Sequence, residues 1–345
     1  MGIKGLTKLL RTKAPRAIEK LCPRGSDLEA RFRGKTFVLD TAIFMYKFMY
    51  GCHGGAGPTV ADKFLELAGG LDGIGVTPFF VFDGVAPLEK AATHEARTAE
   101  RDRGKVRLAT KRKAVDTLEE AVAKKRRGSR TAEDSLETAA LVTALVKARD
   151  VKVRAERCDF TVTPADFTIV RGALEGAGFR CYTARDEGEK GCAFIAALLD
   201  ARERGSAIAV TEDMDALPFG APCVFRNLTL RLLTPDIEPA WPTKPGMAPF
   251  LIHREALLEG LHIGPATFVD LCIMCGSDFT GTKPRGIGPV KALEALRISG
   301  TIEEFLSSDP RGRKFAADPA FMAAFDYGAA RRIFALGPSE VEPPL

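Results

Sequence analysis

Histidine is scarce in this sequence and cysteine follows no regular spacing: the 345 residues include four His and eight Cys. A zinc site needs four converging soft ligands, and no set of residues with the spacing of a zinc finger is present. The one C-x-x-C pair, Cys272 and Cys275, lies in the apolar segment LCIMC with no histidine beside it. We therefore predict that these two cysteines pack in the core and bind no metal.

Long apolar runs are also missing. No segment reaches the roughly 20 apolar residues that a membrane-spanning helix requires, and no secretory leader opens the chain. Apolar residues nevertheless make up 46% of the sequence, which is enough for a substantial core in one large α/β domain or in two domains. We expect an intracellular protein that is not secreted and has no membrane partner.

Positive charge is concentrated in one segment. The net charge is +5, yet residues 90–130 contain fourteen Lys or Arg and six Asp or Glu. The rest of the chain is therefore slightly acidic. A basic segment on a more acidic body is typical of a protein that binds a polyanion, although a solvated pair of charged helices has the same composition.

Strands and helices alternate along most of the chain. Strands are predicted at 36–40, 78–83, 179–184 and 207–213, with amphipathic helices between them. This alternation is typical of an α/β fold with a mainly parallel central sheet and helices on both faces. The segment 223–234 is predicted to form a hairpin.

Acidic residues follow the predicted strands at the points where they end. A single Asp in such a place is commonly a helix cap or a turn residue, but TEDMD at 211–215 has three acids in five residues. Acids that converge without a counter-charge repel one another, and hard divalent cations such as Mg²⁺ relieve that repulsion. The pattern therefore favours metal-assisted phosphoryl chemistry. The acids are Asp40, Asp83, Glu187, Glu189, Asp213, Asp215 and Asp278.

Five sequence blocks resemble the flap endonuclease branch of the XPG-type structure-specific nucleases, in the order of that family. They are MGIKGLTKLL at 1–10, VLDTAIFMY at 38–46, VFDG at 81–84, TEDMDALPFG at 211–220 and FVDLCIMCGSDFTGTKPRGIGPVKALEAL at 268–296. The resemblance implies a PIN-like 5′-nuclease fold. It also implies that the seven acids hold two Mg²⁺ or Mn²⁺ ions and that water attacks the scissile phosphate in line, with Asp40, Asp83, Glu189 and Asp213 taking part in catalysis.

The resemblance also implies DNA contacts. Lys90 and Arg97 stand seven and fourteen residues after Asp83, at the family spacing for side chains that contact the scissile phosphate. Tyr46 matches an aromatic residue that stacks on a base, although a core aromatic is the alternative. Gly2 belongs to an amino-terminal segment packed beside the active site.

A helix-two-turn-helix is expected near 268–296. In relatives this element grips duplex DNA and binds K⁺, and here Gly286, Gly288 and Lys291 are the candidate DNA contacts. Gly-rich turns let backbone N–H groups approach phosphate closely. The stretch GTKP at 281–284 is slightly expanded relative to the family.

The domain organisation follows from these blocks. We predict a nuclease domain in two parts, 1–89 and 161–328, a basic helical arch inserted at 90–160, and a tail at 329–345. The interval from Asp83 to Glu187 is longer than the family norm, so the arch is expected to be enlarged. No sliding-clamp peptide is recognised, and a monomer is expected.

The leading interpretation is a structure-specific 5′ nuclease of DNA replication or repair, in a nucleus or another DNA-containing compartment. It would cut DNA at 5′ flaps, branches or free 5′ ends with Mg²⁺. Two alternatives stay open at this point. One is a non-catalytic factor that binds branched DNA on a nuclease scaffold, and the other is a PIN-type ribonuclease.

Overall fold

The computed structural model describes seven ranges of the chain: 3–21, 25–52, 57–84, 91–128, 132–156, 159–233 and 248–335. The chain divides into two compact units. The sheet unit consists of Met1–Met45, Ala61–Ala91 and Ala165–Leu345, and the hairpin unit consists of Tyr46–Val60 and Ala92–Pro164.

Seven strands within the described ranges form one sheet in the order β1-β7-β6-β5-β2-β3-β4. Strands β2 to β6 pair in parallel, whereas β7 runs antiparallel to both β6 and β1. The predicted mainly parallel sheet is therefore confirmed. The strands are β1 (Ile18–Lys20), β2 (Thr36–Asp40), β3 (Thr77–Phe82), β4 (Arg180–Thr183), β5 (Ala207–Val210), β6 (Cys223–Arg226) and β7 (Phe250–His253).

The helices surround the sheet or build the hairpin unit. The helices that precede β4 in the chain are α1 (Leu6–Lys13), α2 (Gly25–Phe32), α3 (Thr41–Cys52), α4 (Val60–Gly73), α5 (Ala91–Gly128), α6 (Ala132–Glu156) and α7 (Pro164–Gly176). Those after β4 are α8 (Gly188–Arg202), α9 (Arg254–Leu261), α10 (Pro265–Gly276), α11 (Pro289–Ser299), α12 (Ile302–Ser308), α13 (Pro310–Ala316), α14 (Pro319–Ala324) and α15 (Tyr327–Ala335).

Both faces of the sheet are covered, because successive residues of a strand point to opposite faces. Val38 joins the larger core cluster, together with residues of α1, α8, α10 and α11. Its neighbour Phe37 lies on the other face, in edge-to-face contact with Phe32 of α2 at a centroid distance of 5.1 Å. Strands buried on both sides explain why β2 reads as an apolar run and not as an alternating one.

The carboxyl ends of the parallel strands meet at one edge. Strand β2 lies between β3 and β5, and its last residue, Asp40, is in register with Val81. Chain segments that leave β2, β3 and β5 therefore start side by side. An open parallel sheet places its ligand site at this edge.

The hairpin unit contains two long helices, α5 with 38 residues and α6 with 25. Val115, Val122 and Leu145 are buried between them. Ion pairs join the helices in antiparallel order, so the predicted basic helical insertion is a helical hairpin. These pairs are Arg112–Glu156, Glu119–Arg149, and Lys125 with both Asp134 and Glu137.

Two predictions about local structure were wrong. Within 223–234 only Cys223–Arg226 is a strand, and Leu230–Leu232 is a 3-10 turn. Strand β6 pairs with the distant β7 and not with its own continuation. The tail predicted at 329–345 begins within α15, whose Ile333 and Phe334 are buried, and residues 336–345 lie outside the described ranges.

Cys272 and Cys275 are both fully buried free cysteines of α10. Burial raises the pKa of Cys272 and raises that of Cys275 to about 12, so both thiols stay protonated. The prediction of core packing is confirmed.

Among the described helices, none alone has the length and apolar composition of a membrane span. Helices α9 and α10, which are bent by 81° relative to each other, meet those criteria only as a pair.

The hairpin core can be tested with two adjacent residues of α6. Leu145→Ala removes a side chain that is 7% exposed, whereas Val146 is 53% exposed. Leu145→Ala should destabilise the hairpin by about 2 kcal/mol, at the lower end of the range for buried leucines. Amide hydrogen exchange in α5 and α6 should accelerate accordingly. Val146→Ala is the matched control, and equal acceleration by both variants would contradict the assigned packing.

Candidate active site

Asp40 is a buried acid at the carboxyl edge of the sheet. It ends β2, is 2% exposed, and its Oδ2 accepts a hydrogen bond of 2.8 Å from the Thr211 hydroxyl. Its Oδ1 accepts no hydrogen bond from the described residues. Burial raises the pKa of Asp40 well above its ordinary value, and the nearby charges of Glu189 and Asp83 raise it further.

Asp83 and the start of α8 fix each other. Asp83 follows β3, and its Oδ1 accepts a hydrogen bond of 2.7 Å from the backbone N–H of Gly188. A Cβ at Gly188 would lie 2.7 Å from Asp83 Oδ1 and 3.4 Å from Asp40 Oδ1. Glycine between Glu187 and Glu189 therefore lets the first turn of α8 approach both strand-end carboxylates.

Three carboxylates form a compact group suited to a cation. Oxygen atoms of Glu189, Asp213 and Asp215 all lie within 4.8 Å of one another. Asp213 begins a 3-10 turn at Met214–Ala216, and its Oδ1 accepts from the backbone N–H of Asp215. The tight turn after β5 explains why two acids at i and i+2 reach the same place.

Thr211 is a site residue that the sequence analysis missed. Its buried hydroxyl donates to Asp40 and accepts from the backbone N–H of Asp213 at 3.1 Å. It thereby links the ends of β2 and β5. Its position directly before the TEDMD acids was the available signal.

Glu212, the remaining acid of TEDMD, points elsewhere. It pairs with Arg226 at 3.4 Å and accepts from the backbone N–H of Asn227 at 2.8 Å. The structure therefore separates the three acids of this segment into two that join the compact group and one that fixes the end of β6.

Glu187 and Asp278 lie outside the compact group of three. Glu187 occupies the N-cap position of α8 and its side chain makes no capping hydrogen bond. Asp278 follows α10 and is half-buried. Its neighbour Phe279 contacts Phe219, at the end of the Asp213 loop, with a centroid distance of 6.0 Å, and Phe334 of α15 packs on both rings. This aromatic cluster sets the Asp278 loop beside the Asp213 loop.

The predicted DNA contacts Gly2, Tyr46, Lys90 and Arg97 are described only in part. Tyr46 is 42% exposed, so it is not a core aromatic. Its hydroxyl accepts a hydrogen bond of 2.9 Å from Arg101 of α5, and its ring lies 6.2 Å from that of Phe160. Gly2, Lys90 and the side chain of Arg97 lie outside the described residues.

The helix-two-turn-helix consists of α10, α11 and the turn between them. Gly286 adopts a left-handed backbone, and Gly288 is the N-cap of α11. Lys291 Nζ lies 3.4 Å from the carbonyl oxygen of Gly286, and Lys283 Nζ donates to the carbonyl oxygen of Cys275 at 2.9 Å. Two ammonium groups thus already face one carbonyl at the end of α10 and one in the turn, and at these two oxygens the residues do not fit an additional K⁺.

The acids at the sheet edge, in contrast, fit hard divalent cations. Mg²⁺ prefers oxygen ligands and is held by few direct carboxylates. The Oδ1 of Asp40, which is buried and accepts no hydrogen bond from the described residues, and the compact group of three carboxylates supply such oxygens. Burial and, after it, repulsion from Glu189 and Asp83 raise the pKa of Asp40, and a bound cation would offset both effects.

Two protein-family models match the chain. The XPG N-terminal domain matches residues 1–104, and the XPG I-region matches residues 178–278. Together they span most of the sheet unit and every predicted metal ligand. Residues 105–177, which include most of the helical hairpin, lie between the two matches.

Curated relatives cover nearly the whole chain. Flap endonuclease 1 of Trypanosoma cruzi is 29% identical over 97% of this chain and 73% of the relative. Flap endonuclease 1 of Phytophthora infestans is 31% identical over 89% of this chain and 68% of the relative.

Solved structures share the fold. The catalytic core of Rad2 in complex with DNA substrate has a TM-score of 0.58 at 18% identity and covers 100% of this chain and 90% of that one. Flap endonuclease-1 from Methanococcus jannaschii has a TM-score of 0.52 at 21% identity, with coverage of 95% and 84%.

Removing the charge of Asp40 should stabilise the metal-free protein. Asn at this position keeps an acceptor for Thr211 and ends the repulsion from Asp83 and Glu189. In EDTA at neutral pH, Asp40→Asn should raise the melting temperature by at least about 2 °C, the shift that roughly 1 kcal/mol produces in a large domain. Differential scanning calorimetry measures this.

The pH dependence follows from the raised pKa. The folded state disfavours the charged form of Asp40, so the penalty is present at neutral pH and disappears as pH falls through the raised pKa. The difference in melting temperature between Asp40→Asn and the unmodified protein should therefore become smaller as the pH is lowered. If this difference in melting temperature stayed constant or grew at low pH, the charge of Asp40 would not be what destabilises the metal-free protein.

Proposed function

The chain belongs to the XPG-type flap endonuclease family, and on that premise we propose that it is a structure-specific 5′ nuclease that hydrolyses DNA phosphodiesters at 5′ flaps, branches or free 5′ ends. One observation supports this most strongly. Acids from three neighbouring strand ends and from the first turn of α8 gather at the carboxyl edge of the parallel sheet.

In this proposal the acids hold two Mg²⁺ ions, for which Mn²⁺ can substitute. Glu189, Asp213 and Asp215 are the direct candidates, with Asp40 and Asp83 beside them. Glu187 and Asp278 complete the set from the edge of the group. Bound by these residues, such ions would supply activation of water and stabilisation of the attacking and leaving oxygens of an in-line displacement.

The protein's own residues orient the substrate. Lys90 and Arg97 are assigned to the non-bridging oxygens of the scissile phosphate, where positive charge offsets the charge that develops in the transition state. Tyr46 is assigned to base stacking, which contributes about 1–3 kcal/mol per base. Its exposed ring and the hydrogen bond from Arg101 support that assignment. Gly2 is assigned to the amino-terminal wall of the site.

The helical hairpin supplies electrostatic attraction for DNA. Its tip contains Lys124, Arg126 and Arg127, which are exposed, whereas Lys125 between them is paired with Asp134 and Glu137. Basic side chains that neutralise phosphates release condensed counterions, so binding by this tip is salt-dependent.

The helix-two-turn-helix is assigned to the duplex next to the cut. Gly286 and Gly288 leave the backbone open to a phosphate, and Lys291 adds positive charge. K⁺ is not part of this assignment, because Lys283 and Lys291 already face the carbonyls of the turn.

We propose that the protein acts as a monomer in DNA replication or repair. Its place would be a nucleus or another DNA-containing compartment.

The two alternative functions have distinct outcomes in one cleavage assay. A non-catalytic factor would bind flap DNA without cutting it in Mg²⁺, and a PIN-type ribonuclease would prefer an RNA flap to a DNA flap of the same sequence. Removal of Mg²⁺ with EDTA should stop cleavage in our account.

The metal-site assignment is tested with two neighbouring acids. Asp213→Asn keeps the acceptor for the Asp215 backbone N–H but removes a charge from the compact group. It should slow cleavage of end-labelled 5′-flap DNA by at least about 100-fold, the scale seen when one electrostatic stabiliser is lost. Flap affinity in EDTA should stay the same or increase, because negative charge near DNA is reduced.

Glu212→Gln is the matched control. It removes one charge from the adjacent position but leaves an acceptor for Asn227. Cleavage should stay close to that of the unmodified enzyme. If both variants lost activity equally, or if Asp213→Asn lost binding and cleavage together, the assigned roles would be wrong.

The hairpin assignment is tested by salt dependence. Replacing Lys124, Arg126 and Arg127 by Ala should weaken binding to single-stranded 5′ flaps. It should also reduce the slope of log affinity against log salt by up to about 2, since each phosphate contact to a single strand contributes about 0.7. Fluorescence anisotropy from 50 to 200 mM salt measures the slope. An unchanged slope would exclude the tip from the interface.

A further inference from the structure

The carboxyl-terminal end of α10, within the helix-two-turn-helix, carries partial negative charge and faces a lysine of the same chain. The last carbonyls of a helix lack intrahelical partners and form the negative end of its dipole. The carbonyl oxygen of Cys275 is one of them, and it accepts a hydrogen bond of 2.9 Å from Lys283 Nζ. The cation at this helix end is thus supplied by the chain itself, eight residues further on.

Packing fixes the position of this ammonium group. Gly276 has a left-handed backbone with φ 99°, and a Cβ there would lie 2.8 Å from Lys283 Cδ. The aliphatic part of Lys283 therefore lies directly against the glycine backbone. Pro284, the next residue, is buried, which restricts the backbone that presents the lysine.

The other side of the turn has a similar arrangement. Lys291 of α11 places its Nζ 3.4 Å from the carbonyl oxygen of Gly286. A second cation at either place would meet an ammonium group at short range and be repelled. One carbonyl oxygen at the end of α10 and one in the turn are thus already opposed by tethered positive charge.

We propose that Lys283 takes the place of a monovalent metal ion in the helix-two-turn-helix of this protein. Its ammonium group holds the end of α10 and the following turn in the geometry that presents Gly286 and Gly288. Duplex binding by this element does not depend on K⁺. The DNA part of this inference rests on the proposed function, whereas the ion part concerns the protein alone.

The unmodified protein provides the primary test. Its melting temperature is measured without DNA in KCl, NaCl and tetramethylammonium chloride at equal ionic strength, and its affinity for a duplex with a 5′ flap is measured in the same salts in EDTA. Melting temperatures in K⁺ and Na⁺ should agree, and affinities should agree within about two-fold, which corresponds to less than 0.5 kcal/mol. K⁺-specific stabilisation, or K⁺-specific tightening of about ten-fold, would overturn the proposal.

If the DNA-binding part of the proposed function is wrong, the result looks different, since the protein would then bind the duplex in none of the salts. The melting comparison would still decide whether the turn binds K⁺. The two hypotheses can therefore be rejected separately.

A lysine variant tests the role of the ammonium group. Lys283→Met keeps the aliphatic chain over Gly276 and removes the charge. It should weaken duplex binding about two- to five-fold, the range expected from losing a cation at a helix carboxyl end. Lys283→Arg should bind more tightly than Lys283→Met.

Lys20→Met is the matched control, because Lys20 is an exposed lysine at the end of the edge strand β1. It removes the same charge and should leave affinity unchanged. If Lys283→Met bound the duplex as tightly as the unmodified protein did, the ammonium group would have no positioning role. If Lys283→Met failed to fold, the salt comparison on the unmodified protein would remain decisive.

Discussion

Repulsion between carboxylates at one edge of a sheet is the constraint on which the rest of this structure depends. Asp40 is buried at the end of β2 with Asp83 and Glu189 close enough to raise its pKa. A fold that places acids together in this way is less stable than it would be without them, unless a cation is present. Their convergence is therefore best explained by metal-dependent chemistry on a polyanionic substrate.

The surrounding fold is arranged to hold those acids in place. Parallel pairing sets the ends of β2, β3 and β5 side by side, and Thr211 links two of these ends through its hydroxyl. Gly188 lets α8 approach closely enough for Glu189 to join. Further along the chain, Phe334 packs on the loops that present Asp213 and Asp278, so the carboxyl-terminal helix also supports the site.

The sequence pattern predicted those features of the fold that depend on residues close together in the chain. Apolar runs that end in an acid identified β2, β3 and β5, and five of the seven acids that follow the predicted strands also lie in the family blocks. The hairpin at 223–234 failed because the partner of β6 is β7, and pairing of distant segments leaves no mark on a short run. The tail predicted at 329–345 was wrong at its start, because α15 continues to Ala335 and buries Ala330, Ile333 and Phe334. The role of Lys283 depends on a contact with a carbonyl oxygen, which a lone lysine in a sequence does not reveal.

The most direct test of the central claim is anomalous scattering from crystals soaked in Mn²⁺. The account predicts two peaks about 4 Å apart, the separation of two-metal sites, next to Glu189, Asp213 and Asp215 and within reach of Asp40 and Asp83. Peaks elsewhere, or none at the carboxyl edge of the sheet, would contradict the claim that these acids exist to hold divalent cations.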